Sequence, residues 1–150
     1  MIFDFSNPFI MKKILLIVLF FTLQNSFSQS ITGKWKTVDD ETGEPKSIVE
    51  IQEKNGKIYA QIIEIFEAKH RNRKCDLCTG DDKDKPILGF TIIKGLTKDG
   101  DEYNGGKIID PKNGKSYKCI LALENKDKLK VRGYIGFALI GRTQYWSRVK

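Results

Sequence analysis

The chain has 150 residues, 40% hydrophobic and 30% charged, with 26 Lys and Arg against 19 Asp and Glu, a net charge of +7. That length suits one domain with one modest core. The positive charge never gathers into a block of roughly five or six like residues; lysines alternate with acids, as in Lys83-Asp84-Lys85 and Glu124-Asn125-Lys126-Asp127-Lys128. A nucleic-acid partner is therefore not expected, and the charge reads as a solvated, solubilising surface.

The first element in chain order is a basic pair, Lys12-Lys13, followed by the apolar run Ile14–Leu23 and then the small, polar segment Gln24-Asn25-Ser26-Phe27-Ser28-Gln29-Ser30. This is the layout of a secretory signal peptide. The cut is placed after Ser28, with the true start at Met11, so residues 1–28 leave and residues 29–150 form a single domain. A run this short falls well below the roughly 20 residues of a spanning helix, so no membrane span is expected after cleavage. No cysteine stands at the cut for lipid attachment. Losing Asp4, Lys12 and Lys13 lowers the charge from +7 to +6. The protein is expected to be exported, periplasmic or secreted, in a compartment that permits disulfides.

Strand patterns follow almost without interruption. Turn signals at Asn55-Gly56, Asp99-Gly100, Asp110-Pro111-Lys112-Asn113-Gly114 and Asn125-Lys126-Asp127 separate runs rich in β-branched and aromatic residues. The spacing predicts strands over Gly33–Val38, Ser47–Glu53, Lys57–Phe66, Leu88–Leu96, Glu102–Ile109, Ser116–Leu123, Lys128–Tyr134 and Phe137–Ser147. About eight short strands, mostly joined by tight turns, predict an all-β fold: a small antiparallel up-and-down β-barrel, whose closure removes exposed edges. Tyr117, Cys119, Leu121 and Leu123 share one face of their strand. Leu129, Val131, Gly133 and Ile135 share one face of theirs, opposite Lys130, Arg132 and Tyr134. The last strand mixes apolar and polar groups on both faces. Such a strand either lines a partly polar cavity or has a half-covered outer side.

Cys75-Asp76-Leu77-Cys78 lies in the one long loop, between about Glu67 and Pro86. Three chemistries suit a C-x-x-C. A structural disulfide fits an exporting compartment. A zinc site would draw on His70, the sole histidine, and on Cys119. A redox pair wants a lowered thiol pKa, which Asp76 between the cysteines opposes. The disulfide between Cys75 and Cys78 is the reading the compartment favours, with no metal assigned. Cys119, in line with Leu121 and Leu123, reads as a buried core thiol.

Gly33-Lys34-Trp35 on the first strand, with Arg148 just after the last, resembles the calycin or lipocalin-like arrangement. In that superfamily an arginine from the final strand covers a tryptophan near the barrel's closed end. Trp35 and Arg148 are thereby given a structural role: a guanidinium stacks on the indole and donates to nearby carbonyls. A longer ordered set is similar to the bacterial DUF2147 family. It comprises Gly33-Lys34-Trp35, Asp39-Asp40-Glu41-Thr42-Gly43, Cys75-Asp76-Leu77-Cys78, Gly105-Gly106-Lys107-Ile108-Ile109-Asp110-Pro111, Asn113-Gly114-Lys115-Ser116-Tyr117, Val131-Arg132-Gly133-Tyr134 and Gly141-Arg142-Thr143-Gln144-Tyr145-Trp146. The resemblance implies an exported protein of unknown function with a lipocalin-like barrel, and it brings no catalytic residue. Cys119 is not part of that pattern.

Enzymatic signals are thin. His70 sits in a charged loop beside Arg71 and Arg73, away from any nucleophile pattern. Asp39, Glu50 or Asp110 could serve as paired carboxylates, yet Asp39 and Asp110 stand in turn sequences where Asp caps the backbone. No Gly-rich strand-to-helix loop suggests a phosphate cradle. The expectation is a non-enzymatic binding protein without a cofactor. Its ligand would be a small amphipathic or anionic molecule held in or at the barrel by Tyr103, Arg132, Tyr134, Arg142, Gln144 and Trp146. Arginine forks suit carboxylate or phosphate oxygens, and aromatics supply apolar walls. The alternative is a cell-envelope interaction module with a filled barrel, working through its loops.

Overall fold

Asn55 and Gly56 both take positive φ, 52° and 73°, the mirror-image turn whose twist suits a tight hairpin. Lys54 pairs with Lys57 across it. Comparable short turns join Asp99 to Glu102 and Asn125 to Lys128, and these three turns share one end of the molecule. The computed structural model describes residues 29–150, with Pro8 and Lys12 besides. The rest of residues 1–28, read as a signal peptide with its start at Met11, lies outside the described residues.

The strands are β1 (Gly33–Val38), β2 (Pro45–Lys54), β3 (Lys57–Ile65), β4 (Thr91–Asp99), β5 (Glu102–Asp110), β6 (Lys115–Asn125), β7 (Lys128–Tyr134) and β8 (Gly141–Arg148). Each is antiparallel to the next, and β8 returns to β1, closing an up-and-down barrel of eight strands. The seam between β1 and β8 is the shortest ladder, with only Trp35↔Arg148 and Lys36↔Ser147 paired. By contrast, β7 and β8 pair over seven positions.

Most strand limits agree with the sequence reading to within about two residues. Two do not. The fourth strand starts at Thr91 rather than Leu88, because the Gly89 N–H is held by the Ile62 carbonyl at the close of the long loop. The last strand starts at Gly141 rather than Phe137. The β7–β8 hairpin closes at Tyr134↔Gly141, and residues 135–140 form a loop fixed by Ile135 N–H to Ile140 O and Ile140 N–H to Phe137 O.

The interior is built from alternate residues of all strands. Trp35 pairs with Val49, Ile51 with Ala60, Ile58 with Leu96, Leu121 with Val131 and Leu129 with Trp146. Trp35, Val49, Ile51, Ile58, Ile93, Leu96, Leu121 and Leu129 are each at most 1% exposed. Side chains so completely covered leave no water-sized void beside them, so this part of the barrel is filled. Truncating Trp35, the largest of them, would cost about 3–5 kcal/mol.

Ile93 pairs with Ile108 inside, which turns Ile92 and Ile109 outward, yet both are buried. They share one apolar cluster with Cys75, Cys78 and Phe90, so the segment 66–90 lies over them as a strap. Cys75 and Cys78 are joined by a disulfide, Cα–Cα 5.2 Å, as the compartment argument favoured. Around it Cys75 N–H donates to Lys85 O and Asp84 N–H to Cys75 O. The strap docks on the β5–β6 turn at Gly114. Its φ is +71°, and an added Cβ would stand 2.0 Å from the Leu77 carbonyl oxygen. Only glycine fits there.

Candidate functional site

The two ends of the barrel differ in chemistry. At the closed end, Trp35 Nε1 donates to Ile31 O at 2.8 Å. The Arg148 guanidinium lies 4.2 Å from the centre of the Trp35 ring. It donates to Thr32 O, Ser30 O and Lys126 O at 2.9, 2.8 and 2.6 Å. Charge, stacking and carbonyl acceptors all meet there, as the resemblance implied, and the end is sealed.

The other end carries the β1–β2 turn, the strap, the β5–β6 turn and the 135–140 loop. Here the inner face of β8 becomes polar. Trp146, 2% exposed, donates from Nε1 to Gln144 Oε1 at 2.9 Å. Gln144 Nε2 donates to Asp40 Oδ1, and Arg142 Nη1 donates to Asp40 Oδ2 at 2.7 Å. One relay thus runs from a buried indole to a rim guanidinium whose side chain is 74% exposed. Asp40's hydrogen bond and charge raise the Arg142 pKa above the ordinary guanidinium value. Asp40 belongs to the β1–β2 turn, so the relay bridges the β1–β8 seam where its backbone ladder has ended.

The wall next to Arg142 is made of small residues. Arg142 pairs with Gly133, and Gly133 with Cys119. Ile108 and Tyr117 close in over Gly133, where an added Cβ would lie 3.3 Å from Ile108 Cγ2. Tyr117 Oη accepts from Asn113 Nδ2 at 3.1 Å. Across the mouth, the Thr37 and Ser47 hydroxyls pair at 2.8 Å, both buried. This rim of the open end, called the cup below, sets two buried hydroxyls, an aromatic side chain and an exposed guanidinium above the filled apolar interior.

The predicted ligand residues separate into three sets. Arg142, Gln144 and Trp146 come together in the relay. Tyr103 faces inward beside Leu121 but packs on the core at the closed half, away from the lip. Arg132 and Tyr134 stand on the outer face, opposite Val131 and Gly133. Arg132 does not face the cup: it donates to Ala138 O at 2.7 Å and Thr143 Oγ1 at 2.7 Å, and so props the 135–140 loop. Ile135, beyond the end of β7, is exposed rather than continuing its inward face. Asp40, Thr37 and Ser47 were not foreseen. The Asp39-Asp40 turn sequence was visible, but its reach to β8 was not.

The other titratable candidates disperse. Asp39 accepts from the Glu41 and Thr42 N–H groups, which hold its carboxyl below the usual range. Asp110 caps Lys112 N–H, and Glu50 takes a bond from Gln52 on the outer face of β2. His70 Nε2 lies 3.4 Å from Glu67 on the strap. With Cys75 and Cys78 bonded to each other, the zinc alternative loses its ligands, and no metal-holding cluster occurs among the described residues. Cys119 is buried, as read from its strand, and burial pushes its thiol pKa to about 12.

A groove of about 490 Å³ lies outside the barrel beneath the strap, lined by Tyr59, Asp82, Lys85, Leu88, Phe90 and Lys94. Lys94 Nζ is 2.7 Å from both Asp82 oxygens, and Lys85 is 3.3 Å from one. Burial pushes the Asp82 carboxyl up, but the two lysines together leave it below its usual value. Both cations thus engage Asp82 and hold the strap on the barrel wall.

Among solved structures, protein HP1028 from Helicobacter pylori, described as belonging to the lipocalin family, is similar in fold. Its TM-score is 0.71 at 24% sequence identity, over 81% of this chain and 84% of that one. No curated protein matches the chain. The family described as an uncharacterized protein conserved in bacteria, DUF2147, matches residues 33–148, so that the match runs from the glycine that opens β1 to the arginine that seals the barrel. The chain belongs to the DUF2147 family.

Proposed function

We propose that this protein is an exported lipocalin-like barrel that holds the anionic head of a small amphipathic molecule in the cup at its open end. The observation that carries the reading is Arg142. It stands on the inner side of β8 at the lip, beside Gly133 and Cys119, and its side chain is 74% exposed. A guanidinium has five N–H donors in a planar fork, and only Nη1 is used, by Asp40. The rest suit a carboxylate or phosphate. Ile108 and Tyr117 would meet the start of the tail. The ligand sits at the barrel and not deep in it, because the closed part is filled.

Export is supported by the Lys12-Lys13 pair and apolar run, by the Cys75–Cys78 disulfide and by the bacterial family. The reading is of a binding protein, not an enzyme. Its sole histidine contacts Glu67 on the strap, and Asp39 and Asp110 serve their own turns.

The test is native mass spectrometry of protein recovered from the envelope, with thermal shifts against fatty acids and anionic metabolites. A retained molecule, or a shift that Arg142→Ala abolishes and Asp40→Asn preserves, supports the reading. No retained mass and no shift across the panel overturns it.

A second reading is favoured by one observation, the complete burial of the closed interior. It makes the barrel a filled scaffold for an envelope interaction module. It expects Arg142→Ala to change no binding property.

A further inference from the structure

The 135–140 loop presents four large apolar side chains to solvent. Ile135, Phe137, Leu139 and Ile140 are 63, 77, 93 and 66% exposed. The loop is not a loose end that happens to be apolar. Two backbone hydrogen bonds close it, and Arg132 clamps the Ala138 carbonyl from below. Holding these side chains outward costs hydrophobic free energy with no return inside the fold. A contiguous apolar patch of this kind marks an interaction surface.

We propose that this loop docks the barrel, open end first, on the surface of a bilayer containing anionic lipid. Size and shape argue for lipid. The four residues expose on the order of 600 Å², less than the roughly 800 Å² per partner of a stable protein interface. They project from a narrow hairpin instead of forming a flat or grooved face. Several apolar side chains reaching a few ångströms into the headgroup boundary need no complementary partner surface.

Charge is compatible with that choice. Asp39, Asp40 and Glu41 on the neighbouring turn face Lys46, Arg142 and Lys112 as ion pairs. Glu44 is left as the acid of that turn without a basic partner among the described residues. On the other side lies Lys118, which pairs in register with Tyr134 and with Lys107, while Lys115 of the β5–β6 hairpin faces Asp110. Without Asp4, Lys12 and Lys13 of residues 1–28, the charge falls from +7 to +6, which still draws the barrel to an anionic surface. This inference does not rest on the cup holding a ligand.

The experiment places an environment-sensitive fluorophore at either end. Cys119 is buried and Cys75 is bonded to Cys78, so Leu139→Cys or Glu53→Cys gives the one reactive thiol in the native protein. Glu53 is exposed near the closed end. Vesicles contain phosphatidylcholine alone or with 30% phosphatidylglycerol. A blue shift and intensity rise at position 139, stronger with the anionic vesicles and absent at position 53, is the expected result. No change at position 139 on either vesicle overturns the proposal. So does a shift at position 53 instead, which would mean attachment through the closed end. A change at position 139 that tracks protein concentration without vesicles overturns it in favour of a second copy of the chain.

The unlabelled double variant Phe137→Ser and Leu139→Ser should lose at least about tenfold in vesicle co-flotation with its thermal midpoint kept, since exposed apolar positions add little to folding. Retained co-flotation would count against the loop. Ligand binding is measured separately in vesicle-free solution, so failure of the cup and failure of the loop are distinguishable.

Discussion

Arg148 stacks 4.2 Å from the Trp35 ring centre while bonding the Ser30 and Thr32 carbonyls, and so ties the end of β8 to the chain that leads into β1. The β1–β8 ladder has only two residue pairs, and one residue therefore closes much of this seam. Arg148→Ala should lower stability by about 2–3 kcal/mol, from a cation–π contact and several charged hydrogen bonds. Arg148→Lys keeps the charge but loses the fork, and should recover less than half. Urea midpoints of the three proteins check this; equal midpoints for wild type and Arg148→Ala would contradict it.

The strap has its own stability. The Cys75–Cys78 link spans a sequence separation of 3, so its loop-entropy contribution is small, about 2 kcal/mol. Intact mass should rise by about 2 Da on reduction, and denatured, unreduced protein should show one free thiol, that of Cys119. In a Cys75→Ser and Cys78→Ser variant, hydrogen exchange should quicken at the strap amides of Cys78, Asp84 and Ile87 while Leu121 and Val131 stay protected. Uniform loss of protection would mean that strap and barrel unfold as one unit.

The strap should also loosen in acid. Asp82 keeps a lowered pKa through Lys94 and Lys85, so the stability it lends is present above the usual carboxylate pKa and fades as pH falls through its folded value. At low pH the wild-type strap should exchange at the same rates as the strap of Asp82→Asn, and a persistent difference below about pH 2 would contradict the role given to this carboxylate.

The parts of this fold that were legible in sequence are the parts decided locally. β1 and β7 were bounded to the residue because β-branched runs stop at turn formers. The Trp35–Arg148 pair came from the calycin resemblance and not from a local pattern, since the two residues stand at opposite ends of the barrel sequence. The start of β8 was not legible, because Phe137-Ala138-Leu139-Ile140 has the composition of a strand. What ends the ladder is the close of the hairpin at Tyr134↔Gly141, where an added Cβ on Gly141 would lie 2.4 Å from the Gly133 carbonyl oxygen. The reach of Asp40 has no local signal, because its partner Arg142 is 102 residues away. Arg142, Gln144 and Trp146 share one face of β8 through their spacing of two and meet in the relay. Which face of β7 met them depended on register, and that set Arg132 and Tyr134 outside.

Gln144 is the middle of the relay and gives it a direct test. Its Oε1 accepts from the buried Trp146 indole and its Nε2 donates to Asp40. Gln144→Ala leaves the indole N–H without that partner, at a cost of about 1–2 kcal/mol. Gln144→Glu keeps an acceptor for the indole but sets a carboxylate against Asp40. At neutral pH it should be less stable than Gln144→Ala, and it should overtake the alanine variant as acid protonates the pair. Thermal midpoints of both variants from pH 3 to pH 8, followed by tryptophan fluorescence, would show the crossing; parallel curves would mean that Gln144 and Asp40 do not interact.

Cys119 should make the fold alkali-sensitive. Burial pushes its pKa to about 12, whereas an unfolded thiol titrates near 8.5. Below the unfolded value the thiol is protonated in both states and costs nothing. Between about pH 9 and 12 the unfolded chain has released a proton that the folded chain still holds, so the folded state binds more protons and stability falls as pH rises. The slope from this one group approaches about 1.4 kcal/mol per pH unit. Lysines and tyrosines titrate in the same window, so the measurement is a difference. Urea stability of Cys119→Ala is subtracted from wild type at pH 7 and at pH 10.5. The alanine variant is less stable at pH 7, where a small cavity replaces the sulfur, and the gap narrows or reverses at pH 10.5. Alkylation of native wild type should stay negligible up to about pH 10 for the same reason. A constant gap, or rapid alkylation at neutral pH, would show that the thiol is open to solvent and would remove Cys119 from the filled wall beneath Arg142.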